Sequence, residues 1–175
     1  MRPQDIIILL KLISSKNKGL SNKEMAEELK ISASEFSEAL ERCKQAHLID
    51  STKSFVNTLA LEEFLIHGIK YVFPVVKQSK IRGIATSISA PLFKNRIMQG
   101  QDLYVWKFPT GEIRGEEIKP LYKTVPEASI NDPKLYELLV ITDVLRMGKA
   151  REIDIAKEEL KKRFTEYTAR EFTEN

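Results

Sequence analysis

Leu20-Ser21-Asn22-Lys23-Glu24-Met25 is followed eleven residues later by Ile31-Ser32-Ala33-Ser34-Glu35-Phe36. Each stretch reads apolar, Ser, two residues, Glu, apolar. The serine can accept from the amide of the third helical residue while the glutamate returns to the serine amide, and the flanking apolar pair closes a hydrophobic staple. Two helices that start so close together require a sharp turn between them. That is the layout of a helix-turn-helix, whose second helix enters the DNA major groove.

Working outward, Pro3 to about Ser15 carries apolar residues around nearly its whole circumference and predicts a helix buried on more than one side, closed by Asn17-Lys18-Gly19. Asn22 to Leu29 and Ala33 to Ala46 are the two capped helices. Phe36, Leu40, Cys43 and His47 fall on one stripe of the latter and predict its core face, so His47 reads as a buried or helix-end histidine. Leu48-Ile49-Asp50 and Ser54-Phe55-Val56 predict two short strands around Ser51-Thr52-Lys53, in the place of a wing. A further helix spans about Thr58 to Ile69, before Pro74.

Pro74 to Gln101 has no clean period. Leu103 to Phe108 predicts a strand, Pro109-Thr110-Gly111 a turn, and Glu112 to Ile118 a returning strand. Asp132-Pro133 is an N-cap and first-residue pair opening an apolar helix to Met147, which Gly148 ends. A last helix runs from about Lys149 to Phe164, and 165–175 read as a polar tail. The expected class is α+β: an N-terminal winged helix-turn-helix (1–73), a basic loop and β-hairpin region (74–131), and two C-terminal helices with a polar tail (132–175).

The chain of 175 residues is 42% apolar and 30% charged, with a formal net charge of +3. Its longest apolar run, around Ile6–Leu10, is too short to span a bilayer and lacks a signal-peptide cleavage site, which predicts a cytoplasmic protein without a membrane partner. The lone Cys43 excludes an internal disulfide and a multi-cysteine metal site, and it reads as a small core hydrophobe. No Ser/His/Asp grouping, P-loop or dinucleotide fingerprint is present; Gly83, Gly111 and Gly115 do not make one. An enzyme is not expected, a hydrolase or nucleotide-processing activity being the remote case, and no metal or cofactor is expected. Trp106 could stack on a base, but at strand spacing it reads as core.

Charge is unevenly placed. From Phe64 to Gln101 there is no acid, against Lys70, Lys77, Lys80, Arg82, Lys94 and Arg96. Lys77, Lys80, Arg82, Lys94 and Arg96 are either an accessory anion-binding surface or solvated loop charges. The second capped helix carries Glu35, Glu38 and Glu41 against Arg42 and Lys44, so neutralisation of phosphates falls to Lys23, Lys30, Arg42, Lys53 and the basic middle stretch.

Residues 1 to about 60 resemble the winged-helix domains of bacterial MarR-like transcriptional regulators, through Leu20–Leu29, Ile31–Ser37 and His47-Leu48-Ile49-Asp50. The whole chain resembles a family of small bacterial helix-turn-helix proteins through Arg2–Ile6, Tyr71-Val72-Phe73-Pro74, Ser89-Ala90-Pro91, Tyr104-Val105-Trp106, Pro120-Leu121-Tyr122, Val125–Ala128 and Asp132–Leu139. The resemblance implies a homodimeric regulator that binds double-stranded DNA through Ser34, Glu35, Ser37, Glu38 and Arg42. By analogy, the alternative is an antitoxin-like module that holds a toxin-like protein through its C-terminal half.

Overall fold

The structure, a computed structural model, describes residues 1–16, 18–98, 100 and 103–169. Asn17, expected in the close of the first helix, and 170–175 of the expected tail lie outside the described residues.

Helix α1 (Pro3–Ser15) is buried on all sides, with Ile6, Ile8, Leu9 and Leu10 wholly inaccessible. α2 (Asn22–Glu28) and α3 (Ala33–Gln45) pack against it and each other. Both expected capping boxes form: Glu24 N donates to Ser21 Oγ at 3.3 Å, and Glu35 N to Ser32 Oγ at 3.1 Å, with each glutamate returning to its serine amide. α2 and α3 also end alike. Ile31 N bonds Ala26 O and Leu48 N bonds Cys43 O, each 3.0 Å, the six-to-one bond of a Schellman motif. The left-handed position that glycine favours is held by Lys30 (φ 57°) and His47 (φ 56°). His47 is therefore not on the core stripe of α3; the helix stops at Gln45 and the reversal turns His47 out to solvent.

Instead of two strands after α3 there is a single bridge, Ile49 to Val56, around a loop that Asp50 organises. α4 (Thr58–Glu63) continues through a π-helical turn (Phe64–Gly68) into α5 (Ile69–Val72), one turn beyond the expected end.

Strand β1 (Lys77–Ala85) has no counterpart in the sequence reading. It changes the architecture of the middle region. β2 (Tyr104–Lys107) and β3 (Ile113–Ile118) do not form the expected antiparallel hairpin. Both pair antiparallel with β1, meeting it from opposite sides at Gly83, whose partners are Lys107 and Ile113. Beyond β1 they pair parallel, Tyr104 with Glu116 and Val105 with Glu117, closing the three strands on themselves. Three glycines make this closure possible. A Cβ on Gly83 would lie 1.9 Å from Trp106 O, one on Gly111 2.3 Å from the Gly83 backbone, and one on Gly115 2.3 Å from Leu103 O. Backbone passes against backbone where no side chain fits.

α6 (Val125–Ile130) precedes α7 (Pro133–Met147), which Asp132 caps through Leu135 N at 3.2 Å. α8 (Ala150–Ala169) runs a turn past its expected end. The reason is Tyr167, which is buried and accepts the Val56 amide at 3.2 Å, so the start of the supposed tail is structural. One apolar cluster runs from Ile6 to Tyr167, so residues of all three sequence regions share a core. The molecule is mixed α+β, and no helix among the described residues is long and apolar enough to cross a membrane.

Two buried charged networks tie these parts together. Lys11, wholly buried on α1, donates to Asp132 at 2.6 Å and to Glu28, and Ser14 Oγ and Lys18 also reach Asp132, at 3.1 and 3.2 Å. On α7, Asp143 accepts from Thr86 Oγ1, Trp106 Nε1 and Arg146, each at 2.7 Å. Arg146 in turn donates to Phe73 O at 2.8 Å. Trp106 is thus a core residue whose one polar atom is satisfied.

Candidate nucleic-acid interface

The core face of α3 is Phe36, Ala39, Leu40 and Cys43. Its opposite face exposes Ser34, Ser37, Glu38, Glu41, Lys44 and Gln45. Lys23 is exposed at the start of α2, and Lys53 stands in the loop beyond α3. Lys53 has a left-handed backbone, φ 62°.

The expected site residues have partners that the sequence does not reveal. Arg42 is committed inward: its Nε lies 3.1 Å from both carboxylate oxygens of the wholly buried Asp5, and Nη2 lies 2.7 Å from Oδ1. This bidentate pair pins α3 to α1, and Asp5 also accepts the Arg2 amide at 2.7 Å. Arg42 is therefore first a structural residue. Lys53 donates to Glu41, which holds that carboxyl below its usual range. Glu35 is bound to the Ser32 amide and hydroxyl, which lower its pKa, so it is a capping group. Ser34 Oγ lies 3.4 Å from Glu38. Lys30 reaches only to 3.8 Å from Glu127. Lys23 and Lys44 have no ion pair among the described residues.

From Ser21 to Lys53 there are five basic and seven acidic residues. With Arg42 and Lys53 paired within the fold, this surface offers little net attraction to phosphates. It offers hydroxyl, carboxylate and amide groups at helical spacing, the groups that read base edges.

Asp50, expected in the first wing strand, instead organises the loop after α3 by accepting the Thr52, Ser54 and Phe55 amides. Burial raises its pKa, but the amides of Phe55, Ser54 and Thr52 and the Thr52 hydroxyl outweigh that and bring it to about 2. Asp50 followed by Ser, Thr, Lys and Ser is the signal that could have marked this turn. Cys43 is buried beside Asp5 O, and desolvation pushes its thiol up to about 12, which leaves it an inert filler.

The accessory basic residues divide between two adjoining cavities, lined by Lys77 and by Lys94 with Arg96, and the β1 face that carries Lys80 and Arg82. Lys77 donates to Tyr104 Oη at 2.9 Å and lies 3.6 Å from Glu116. Lys80 and Arg82 lie on one face of β1, opposite Glu116 and Arg114 of β3. Arg96 turns to α8, where it pairs with Glu158 at 2.6 Å and with Glu159. Lys94 is exposed in the loop after β1. Among the described residues no group of three or more His, Cys, Asp or Glu side chains is placed to hold a metal ion.

Comparison with models of known protein families, with curated proteins and with solved structures found no match.

Proposed function

We propose that residues 1–73 are a winged helix-turn-helix and that the protein is a homodimeric DNA-binding transcriptional regulator of the cytoplasm. The observation that supports this most is the pair α2–α3: two capped helices joined across Lys30, the second presenting a polar face beside the Asp50 loop. In this reading α3 lies in the major groove. Ser34, Ser37, Glu38 and Gln45 face base edges, and a carboxylate accepts from cytosine N4. Lys23 and Lys44 meet phosphates. Because Arg42 and Lys53 are paired within the fold, affinity for random duplex is low and base contacts carry the selectivity.

Binding to duplex from upstream of the protein's own gene, measured against random duplex over a salt series, tests the reading. Glu38→Lys is expected to tighten random-duplex binding and steepen the log–log salt slope by about one. Lys44→Ala is expected to weaken both. If neither substitution changes binding at low salt, α3 does not read DNA.

A second reading, an antitoxin-like module, draws support from the acidic α3 face and from exposed Tyr71, Val72, Val76 and Met98. It requires a stoichiometric protein partner to co-purify from the native host and to be released by changes at those apolar positions, with duplex binding absent.

A further inference from the structure

Ser87 is costly to the fold in two ways. Its backbone is left-handed (φ 51°) although it is not glycine, and its wholly buried hydroxyl has no hydrogen-bond partner among the described residues. Its neighbours are used by the fold: Thr86 Oγ1 donates to Asp143 at 2.7 Å, and Ser89 Oγ accepts the Tyr104 amide at 2.9 Å. Ser87 lines a cavity of about 320 Å³ between the end of β1 and the α7–α8 junction, together with Lys77, Tyr104, Gly148, Lys149 and Glu152.

Two lysines, Lys77 and Lys149, line the cavity. Lys77 is fixed at it by Tyr104 Oη, 2.9 Å away, with its ammonium 4.5 Å from that ring's centroid. The Lys149 side chain has no ion pair among the described residues. Glu152, the carboxylate on this wall, accepts the Lys149 amide at 2.7 Å, and Glu116 stands 3.6 Å from Lys77. A second cavity, of about 630 Å³, adjoins through Met98, Lys149 and Glu152 and adds Lys94, Arg96, Arg151, Ile97 and Ile155. Arg96 there is held by Glu158 and Glu159, whereas Lys94 and Arg151 have no ion pair among the described residues.

We propose that this cleft binds the phosphoryl group of a small phosphorylated molecule. The Ser87 hydroxyl donates to it, and Lys149 and Lys77 supply charge. The adjoining cavity takes the rest of the molecule between the Lys94 and Arg151 cations and the apolar Ile97 and Ile155. A recessed hydroxyl beneath lysines suits a terminal dianion, with three acceptor oxygens, better than a continuous sugar–phosphate chain. The site is independent of the DNA-binding reading, since it shares no residue with α2 or α3.

Amide chemical-shift titration of the full chain tests it, with inorganic phosphate, pyrophosphate, adenosine monophosphate and random duplex DNA as probes, and with chloride matched for ionic strength. Saturable shifts are expected at Ser87, Ile88, Gly148 and Lys149, tighter for pyrophosphate than for phosphate. Lys149→Glu and Ser87→Gly should each weaken binding about tenfold or more, the scale of one hydrogen bond to a charged group. Ser87→Gly also relieves the left-handed residue and is expected to raise the thermal midpoint, so its loss of binding cannot be a loss of fold. Shifts that chloride reproduces, undiminished affinity in either variant, or a response to duplex DNA alone overturns the proposal.

Discussion

The helical unit α1–α3 and the closed sheet β1–β3 are held together by opposite means. In the first, side chains do the work. Serines cap, glutamates answer them, and Met25, Phe36 and Leu40 fill a core around α1. In the second, the closure depends on the absence of side chains at Gly83, Gly111 and Gly115, and a buried carboxylate on α7 holds Trp106 and Thr86 in place. Helical order here is local and written in neighbouring residues. The sheet's order is non-local, and it fails where one atom too many is present.

The largest effect should come from the carboxylate that anchors the sheet. Asp143→Ala leaves Trp106 Nε1 and Thr86 Oγ1 buried without their acceptor and the buried Arg146 guanidinium without its counter-ion. Removing one partner of a buried ion pair costs about 3–5 kcal/mol. Urea unfolding should show this loss, with Trp106 fluorescence changing in the native baseline. A cost below about 1 kcal/mol, the scale of a surface pair, would mean that apolar contacts alone dock the sheet on α7.

Gly83→Ala should follow, at about 3 kcal/mol, because its Cβ would lie 1.9 Å from the Trp106 carbonyl oxygen and backbone cannot swing aside. Gly19→Ala is the control. It sits at φ 60° with nothing within 4 Å, so only the left-handed strain of about 1–2 kcal/mol applies. Equal midpoints for the two variants would remove the close backbone approach as the reason for the glycines.

This contrast explains what the sequence disclosed. The helices at Pro3–Ser15, Asn22–Glu28, Ala33–Gln45 and Pro133–Met147 announce themselves through proline, serine or aspartate at their starts and apolar spacing behind. β1 does not, because its first residues, Lys77 to Lys80, are exposed on both faces and show no alternation. Gly83, Gly111 and Gly115 are visible as letters, but their purpose is legible only once β2 and β3 meet across β1. The candidate interface divides the same way. Periodicity identifies which α3 residues face outward, yet the pairing of Arg42 with Asp5 spans 37 residues and that of Arg96 with Glu158 spans 62. No local pattern carries either partner, and so Arg42 reads as a free cation when it is a bolt between helices.

The capping serines test the local half of the comparison. Ser32→Ala is expected to cost about 0.5–2 kcal/mol in chemical denaturation. Ser37→Ala, exposed in the middle of α3, should cost nothing, since alanine is the better helix former there. Equal losses for Ser32→Ala and Ser37→Ala would show that burial of Phe36 and Leu40, and not the cap, sets where α3 begins.

The smallest effect has the opposite sign. Lys30 closes α2 at φ 57°, a conformation that costs a side-chain-bearing residue about 1–2 kcal/mol. Glycine there avoids that strain but gives up about 0.5–1 kcal/mol to the freedom of its unfolded chain. Lys30→Gly should therefore stabilise the protein by about 0.5–1 kcal/mol, the difference between those terms. The pairing of the Lys30 ammonium with exposed Glu127, at 3.8 Å, is too long and too solvated for its removal to offset the gain. The same change separates fold from function. If Lys30 only turns the chain, the stabilised variant binds duplex DNA as the native protein does, with an unchanged salt slope. If its ammonium also meets a phosphate, the slope falls by about 0.9 while the unfolding midpoint rises. A destabilised Lys30→Gly would mean that the α2–α3 turn is kept by its side chain, against everything its backbone angle implies.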